Sequence, residues 1–93
     1  MEVWRVVVSG RVQGVYYRQS TQLKAQSLGL VGWVKNQLDG TVLVQIEGQT
    51  QWLKQMLIWL KQGPPKAEVD CVRVISKKSC TKRGSAFTIL YES

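Results

Sequence analysis

Histidine is absent from this 93-residue sequence. That excludes a Ser-His-Asp or Cys-His nucleophile pair and any metal site with an imidazole ligand. Cysteine is nearly as scarce: Cys71 and Cys80 are the only two, too few and wrongly spaced for a structural zinc site, and no metal or cofactor is expected. Free thiols are the expectation, with one disulfide as the alternative if the segment between them folds back. Two cysteines do not make the dense framework of a small secreted scaffold. No run approaches the roughly 18 apolar residues that cross a membrane, and Met1-Glu2-Val3-Trp4-Arg5 lacks the marks of a secretory leader. A soluble, cytoplasmic monomer without a membrane partner is expected. Acid is scarce too: 6 Asp and Glu stand against 13 Lys and Arg, for a net charge of +7 that favours anionic partners. Between Cys71 and Tyr91 lie Arg73, Lys77, Lys78, Lys82 and Arg83 with no acid. A solvated, solubilising segment is the simpler account of this cluster, and a nucleic-acid patch is its rival.

What is present is enough for one packed domain over residues 1–93, with 44% hydrophobic residues. Residues 3–9 are rich in β-branched and aromatic side chains and end at Gly10, which predicts a first strand. Tyr17, Thr21, Ala25 and Leu28 recur at spacings of four, four and three before Gly29, which predicts a helix from about Arg18 to Leu28. Leu30–Gln37 and Thr41–Glu47 read as strands joined through the Asp39-Gly40 turn. Thr50 is a candidate N-cap for a second helix carrying Trp52, Leu53, Met56, Leu57, Trp59 and Leu60, stopped at Gly63-Pro64-Pro65. Those tryptophans are expected to pack on a sheet rather than hold a cofactor. Val69–Ile75 and Ala86–Tyr91 complete the strands, the last with Phe87, Ile89 and Tyr91 on one face. The fold class is therefore α+β: a ferredoxin-like split βαβ sandwich, an antiparallel sheet with two helices on one face, in the order βαββαβ plus a C-terminal strand.

Two segments carry chemistry. The loop Gly10-Arg11-Val12-Gln13-Gly14-Val15-Tyr16-Tyr17-Arg18 runs from a strand into a helix. Glycines there let backbone N–H groups converge, and a helix N-terminus favours an anion. Arg18 would add a planar fork for two phosphate oxygens. Simple turn chemistry is the alternative for the glycines, and a Walker A pattern is absent. The second segment, Gly32-Trp33-Val34-Lys35-Asn36, holds the only asparagine of the chain, against ten glutamines. A turn role is one reading of Asn36; orienting a water molecule through its amide is the other.

Together these segments resemble the acylphosphatase family, small enzymes that hydrolyse the carboxyl–phosphate bond of acyl phosphates. Gly10-Arg11-Val12-Gln13-Gly14-Val15 followed by Arg18 is similar to the family's first signature. Gly32 to Asn36, continued by Gly40, Val42 and Gly48, is similar to its second. The resemblance implies that backbone amides of Gln13, Gly14, Val15, Tyr16, Tyr17 and Arg18 bind the phosphoryl oxygens. It implies further that Arg18 clamps them, that Asn36 holds the attacking water, and that no metal takes part. The substrate would be a small acyl phosphate. Tyr17 departs from the pattern, which has phenylalanine or methionine there, and its hydroxyl needs a partner or an exit to solvent. The competing class is a non-catalytic module of the same architecture that binds nucleic acid. It is disfavoured because Thr41–Glu47 holds no aromatic and strand one offers only Trp4.

Overall fold

The computed structural model describes residues 1–80 and 84–91. Its elements run β1 (Glu2–Arg11), α1 (Tyr17–Ser27), β2 (Val31–Asn36), β3 (Val42–Gly48), α2 (Thr50–Gln62), β4 (Glu68–Ser79) and β5 (Phe87–Leu90). The sheet order is β4-β1-β3-β2-β5. The split βαβ pattern is thus present, with one correction: β5 lies parallel to β2, pairing Gly32 with Phe87 and Val34 with Ile89, so the sheet is mixed rather than antiparallel. The other three pairings are antiparallel.

Alternation decides which side of the sheet is covered. Trp4, Val6 and Val8 of β1 are buried, as are Val42, Val44 and Ile46 of β3. Register places them as neighbours: Trp4 opposite Ile46, Val6 opposite Val44, Val8 opposite Val42. Onto this face α2 lays Leu53, Met56 and Leu60, all 0% exposed, at helical spacings of three and four. Truncating one of them, as in Leu53→Ala, is worth about 2–5 kcal/mol of stability. The expectation for the tryptophans of α2 holds in part: Trp59 packs against the core, whereas Trp52 is exposed. Helix α1 buries a narrower stripe of Tyr17, Thr21 and Ala25. It ends in a left-handed turn at Gly29, φ 69°, where the Leu30 N–H donates to the Ala25 carbonyl and the Gly29 N–H to the Gln26 carbonyl. That pairing satisfies carbonyls the last turn would leave open.

Thr50 does not cap α2. Gln49 occupies that place without a side-chain bond, and the Thr50 hydroxyl donates to Glu2 Oε2 at 3.1 Å. The departure at Tyr17 is resolved inside the core: its hydroxyl donates to the Leu60 carbonyl at 2.7 Å. The helical pattern would give that carbonyl the N–H of residue 64, which is proline and has none. Burial pushes the Tyr17 phenol well above its ordinary range. Cys71 and Cys80 are free thiols.

Candidate active site

The C-terminal end of β1, the start of α1 and the end of β2 meet at one end of the sheet. Between β1 and α1 the chain alternates left-handed residues, Gly14 at φ 75° and Tyr16 at φ 63°. Such alternation turns successive amides toward one concavity. A Cβ at Gly14 would meet nothing within 4 Å, so its backbone angle, not crowding, is what asks for glycine there. The Ser20 N–H, bonded to the Tyr16 carbonyl at 3.0 Å, begins the helical ladder. The amides of Tyr17, Arg18 and Gln19 therefore point out of the helix start, where the macrodipole is positive and no acidic residue sits in the first turn.

A cleft of about 250 Å³ opens here, lined by Val12, Gly14, Tyr16, Tyr17, Arg18, Gln19 and Asn36. It brings Arg18 and Asn36 together, as well as Gly14, Tyr16 and Tyr17 of the glycine loop. Among the described residues no carboxylate lines it. The Arg18 guanidinium carbon lies 4.9 Å from the centre of the Tyr91 ring, a cation–π contact that favours this placement of the fork. Asn36 Oδ1 is buried and has no hydrogen-bond partner among the described residues.

The side chain of Gln13 joins the loop to the β2–β3 hairpin. Its amide nitrogen donates to the carbonyls of Gln37 and Thr41, both at 2.8 Å. The hairpin is itself pinned: Gln37 Nε2 donates to Thr41 Oγ1, and both the hydroxyl and the N–H of Thr41 donate to Asp39 Oδ1. These bonds hold the Asp39 carboxyl below its ordinary pKa, with the hydroxyl's bond the larger cause.

Two participants escape a reading of the sequence. The sequence pattern puts Tyr91 with Phe87 and Ile89 on a strand face, yet β5 ends at Leu90 and Tyr91 is exposed, lying against Arg18. No local signal marks it, because the parallel β2–β5 pairing alone brings residue 91 toward α1. The clamping role of the Gln13 side chain likewise needs the hairpin in place to be seen. Of the basic cluster, Arg73, Lys77 and Lys78 lie on β4, while Lys82 and Arg83 fall outside the described residues. Trp4 is 2% exposed on the helix-covered face, with Lys77 Nζ 4.2 Å from its ring centre, so its ring is not open to a base.

The acylphosphatase family model matches residues 4–89. The chain belongs to the acylphosphatase family. An acylphosphatase of Acaryochloris marina is 56% identical over 70 residues, 75% of either chain. Among solved structures, the acylphosphatase from Bacillus subtilis aligns at a TM-score of 0.92 and 35% identity, covering 98% of this chain and 100% of that one. An acylphosphatase from Coxiella burnetii aligns at 0.86 and 37%, covering 96% and 93%. This acylphosphatase is thus an enzyme of a family that acts on small acyl phosphates. Among the described residues no group of three or more His, Cys, Asp or Glu is placed to hold a metal, and no helix is long and apolar enough to cross a membrane.

Proposed function

We propose that a single copy of this chain hydrolyses the carboxyl–phosphate bond through Arg18, Asn36 and the amides from Gln13 to Arg18. The observation that carries this is the meeting of Arg18, Asn36 and the start of α1 in one cleft. In the proposed mechanism the amides and the Arg18 fork receive the non-bridging phosphoryl oxygens. The guanidinium approaches with its position already limited by the Tyr91 ring. A water held by Asn36 attacks phosphorus along the axis of the breaking bond. The phosphorus–oxygen bond to the acyl group breaks, and the carboxylate departs with the electron pair. The water's protons end on phosphate and solvent. Because carboxylic acids ionise near pH 4, the leaving group needs no proton at neutral pH, which accords with a site built without histidine.

Catalysis by such a site is positioning and fixed electrostatics, since the charge of a loose phosphoryl-transfer transition state can be met by amides and one guanidinium. The unpartnered Oδ1 of Asn36 supports its role, because a buried acceptor left unmet costs about 1–3 kcal/mol and a water O–H would satisfy it.

The test is hydrolysis of benzoyl phosphate by purified, metal-chelated protein, with the spontaneous rate subtracted. Arg18→Ala and Asn36→Ala should each lose about 10² to 10³ in turnover while remaining folded. Full activity in either variant sinks the residue assignment.

A further inference from the structure

The phosphoryl group accounts for only one end of the substrate, and the lining of the cleft says what meets the other. This inference rests on the acyl phosphate reading above. Val12 and Tyr17 are 1% exposed and form the floor, and Gly14 has no side chain to offer. Arg18 and Asn36 are taken by the phosphoryl group and the water. Among the described residues that line the cleft, Tyr16 and Gln19 are left to face the acyl group, and Tyr16, 69% exposed, is the one with a broad apolar ring face; the Tyr91 ring outside the lining already lies against the Arg18 guanidinium.

Tyr16 is also the one non-glycine residue with positive φ among the described residues. A bulky side chain takes that conformation rarely, and glycine or asparagine would hold the same turn with less strain. The loop geometry therefore explains the backbone angle but not the tyrosine. In an in-line displacement the water and the acyl oxygen lie at opposite ends of the reaction axis. The phosphoryl oxygens sit in the amides, so the acyl group projects from the cradle toward its mouth, where the Tyr16 ring stands free.

We infer that Tyr16 is a specificity-determining residue, whose exposed ring receives the acyl group and favours acyl phosphates with an aromatic acyl part over acetyl phosphate. A planar ring meets another in offset or edge contact with little entropy to lose, whereas a methyl group gives it almost no surface.

The experiment compares kcat/KM for benzoyl phosphate and acetyl phosphate in the wild type and in Tyr16→Gly, Tyr16→Asn and Tyr16→Phe. Any change in the amide cradle affects both substrates alike, so the ratio of the two reads the side chain. The benzoyl-to-acetyl ratio should fall about three- to tenfold in Tyr16→Gly and Tyr16→Asn, the fold-change of one aromatic contact, and stay near the wild-type value in Tyr16→Phe. An unchanged ratio in the glycine and asparagine variants overturns the inference and leaves the acyl phosphate reading standing. A Tyr16→Phe ratio as low as that of Tyr16→Gly also overturns it, since the hydroxyl rather than the ring would then be responsible. A wild type that hydrolyses neither substrate removes the acyl phosphate reading itself, and this inference with it.

Discussion

Replacing Tyr17 by phenylalanine removes one oxygen atom, and the structure says what that atom holds. Its hydroxyl is the donor to the Leu60 carbonyl, at 2.7 Å in the core, and Leu60 is 0% exposed. With proline at 64, the amide that a continuing helix would offer that carbonyl is missing. The variant therefore leaves a buried carbonyl unmet, at about 1–3 kcal/mol. For a domain of this size each kcal/mol lowers Tm by about 4–8 °C, so a loss near 2 kcal/mol means a fall of about 8–16 °C. Urea unfolding followed by circular dichroism should show the same loss with an unchanged m-value. A second arm uses pH. Burial raises the folded phenol well above its ordinary 10.0, so above pH 10 the unfolded chain releases a proton that the folded chain keeps. Tyr17 thus contributes its full stability below pH 10 and loses it as pH rises, about 1.4 kcal/mol by pH 11. Tyr17→Phe has no such group, and the gap between variant and wild type should narrow by that amount. A loss under about 0.5 kcal/mol at pH 7, or a gap that ignores pH from 10 to 11, would refute the reasoning.

Gly14→Val should lose most of the activity, whereas Gly14→Asn, which tolerates φ near 75°, should keep more of it; equal losses in acyl phosphate turnover would show that side-chain bulk matters rather than backbone angle. Thr21 carries a buried hydroxyl with no partner among the described residues, so Thr21→Val should raise Tm by about 4–8 °C, the value of about 1 kcal/mol; a lower Tm in calorimetry contradicts this. The Asp39 carboxyl is held below its ordinary 3.8 by Thr41, so its bonds are complete above that pH and are lost as pH falls through the depressed value. The Thr41 amide resonance should report that titration, and Asp39→Asn should abolish it; a midpoint at or above 3.8 would rule out the bonds as its cause.

Strands and helices were legible because the core obeys simple periods. Val42, Val44 and Ile46 alternate, and Leu53, Met56 and Leu60 recur at helical spacing, so sequence alone told which faces are covered. The direction of β5 was not, since Phe87 to Leu90 carries the same pattern in a parallel or an antiparallel pairing; only the connection decides. The N-terminus of α2 misled because Thr50 is a good cap by type, yet Glu2 from a distant strand claims its hydroxyl. At the site, the glycine loop, Arg18 and Asn36 were legible as two motifs. Tyr91 and the side chain of Gln13 act through contacts at long sequence separation, which no local pattern encodes.

Gln13 has a consequence for how molecules come and go. Its amide donates to two carbonyls of the β2–β3 hairpin, so the loop is tied to the hairpin at two points and a movement of one against the other would have to break both bonds. Substrate is expected to reach the cleft without waiting for a lid, and the slow step of a turnover to lie in bond breaking or in the loss of phosphate from its amides rather than in a conformational gate.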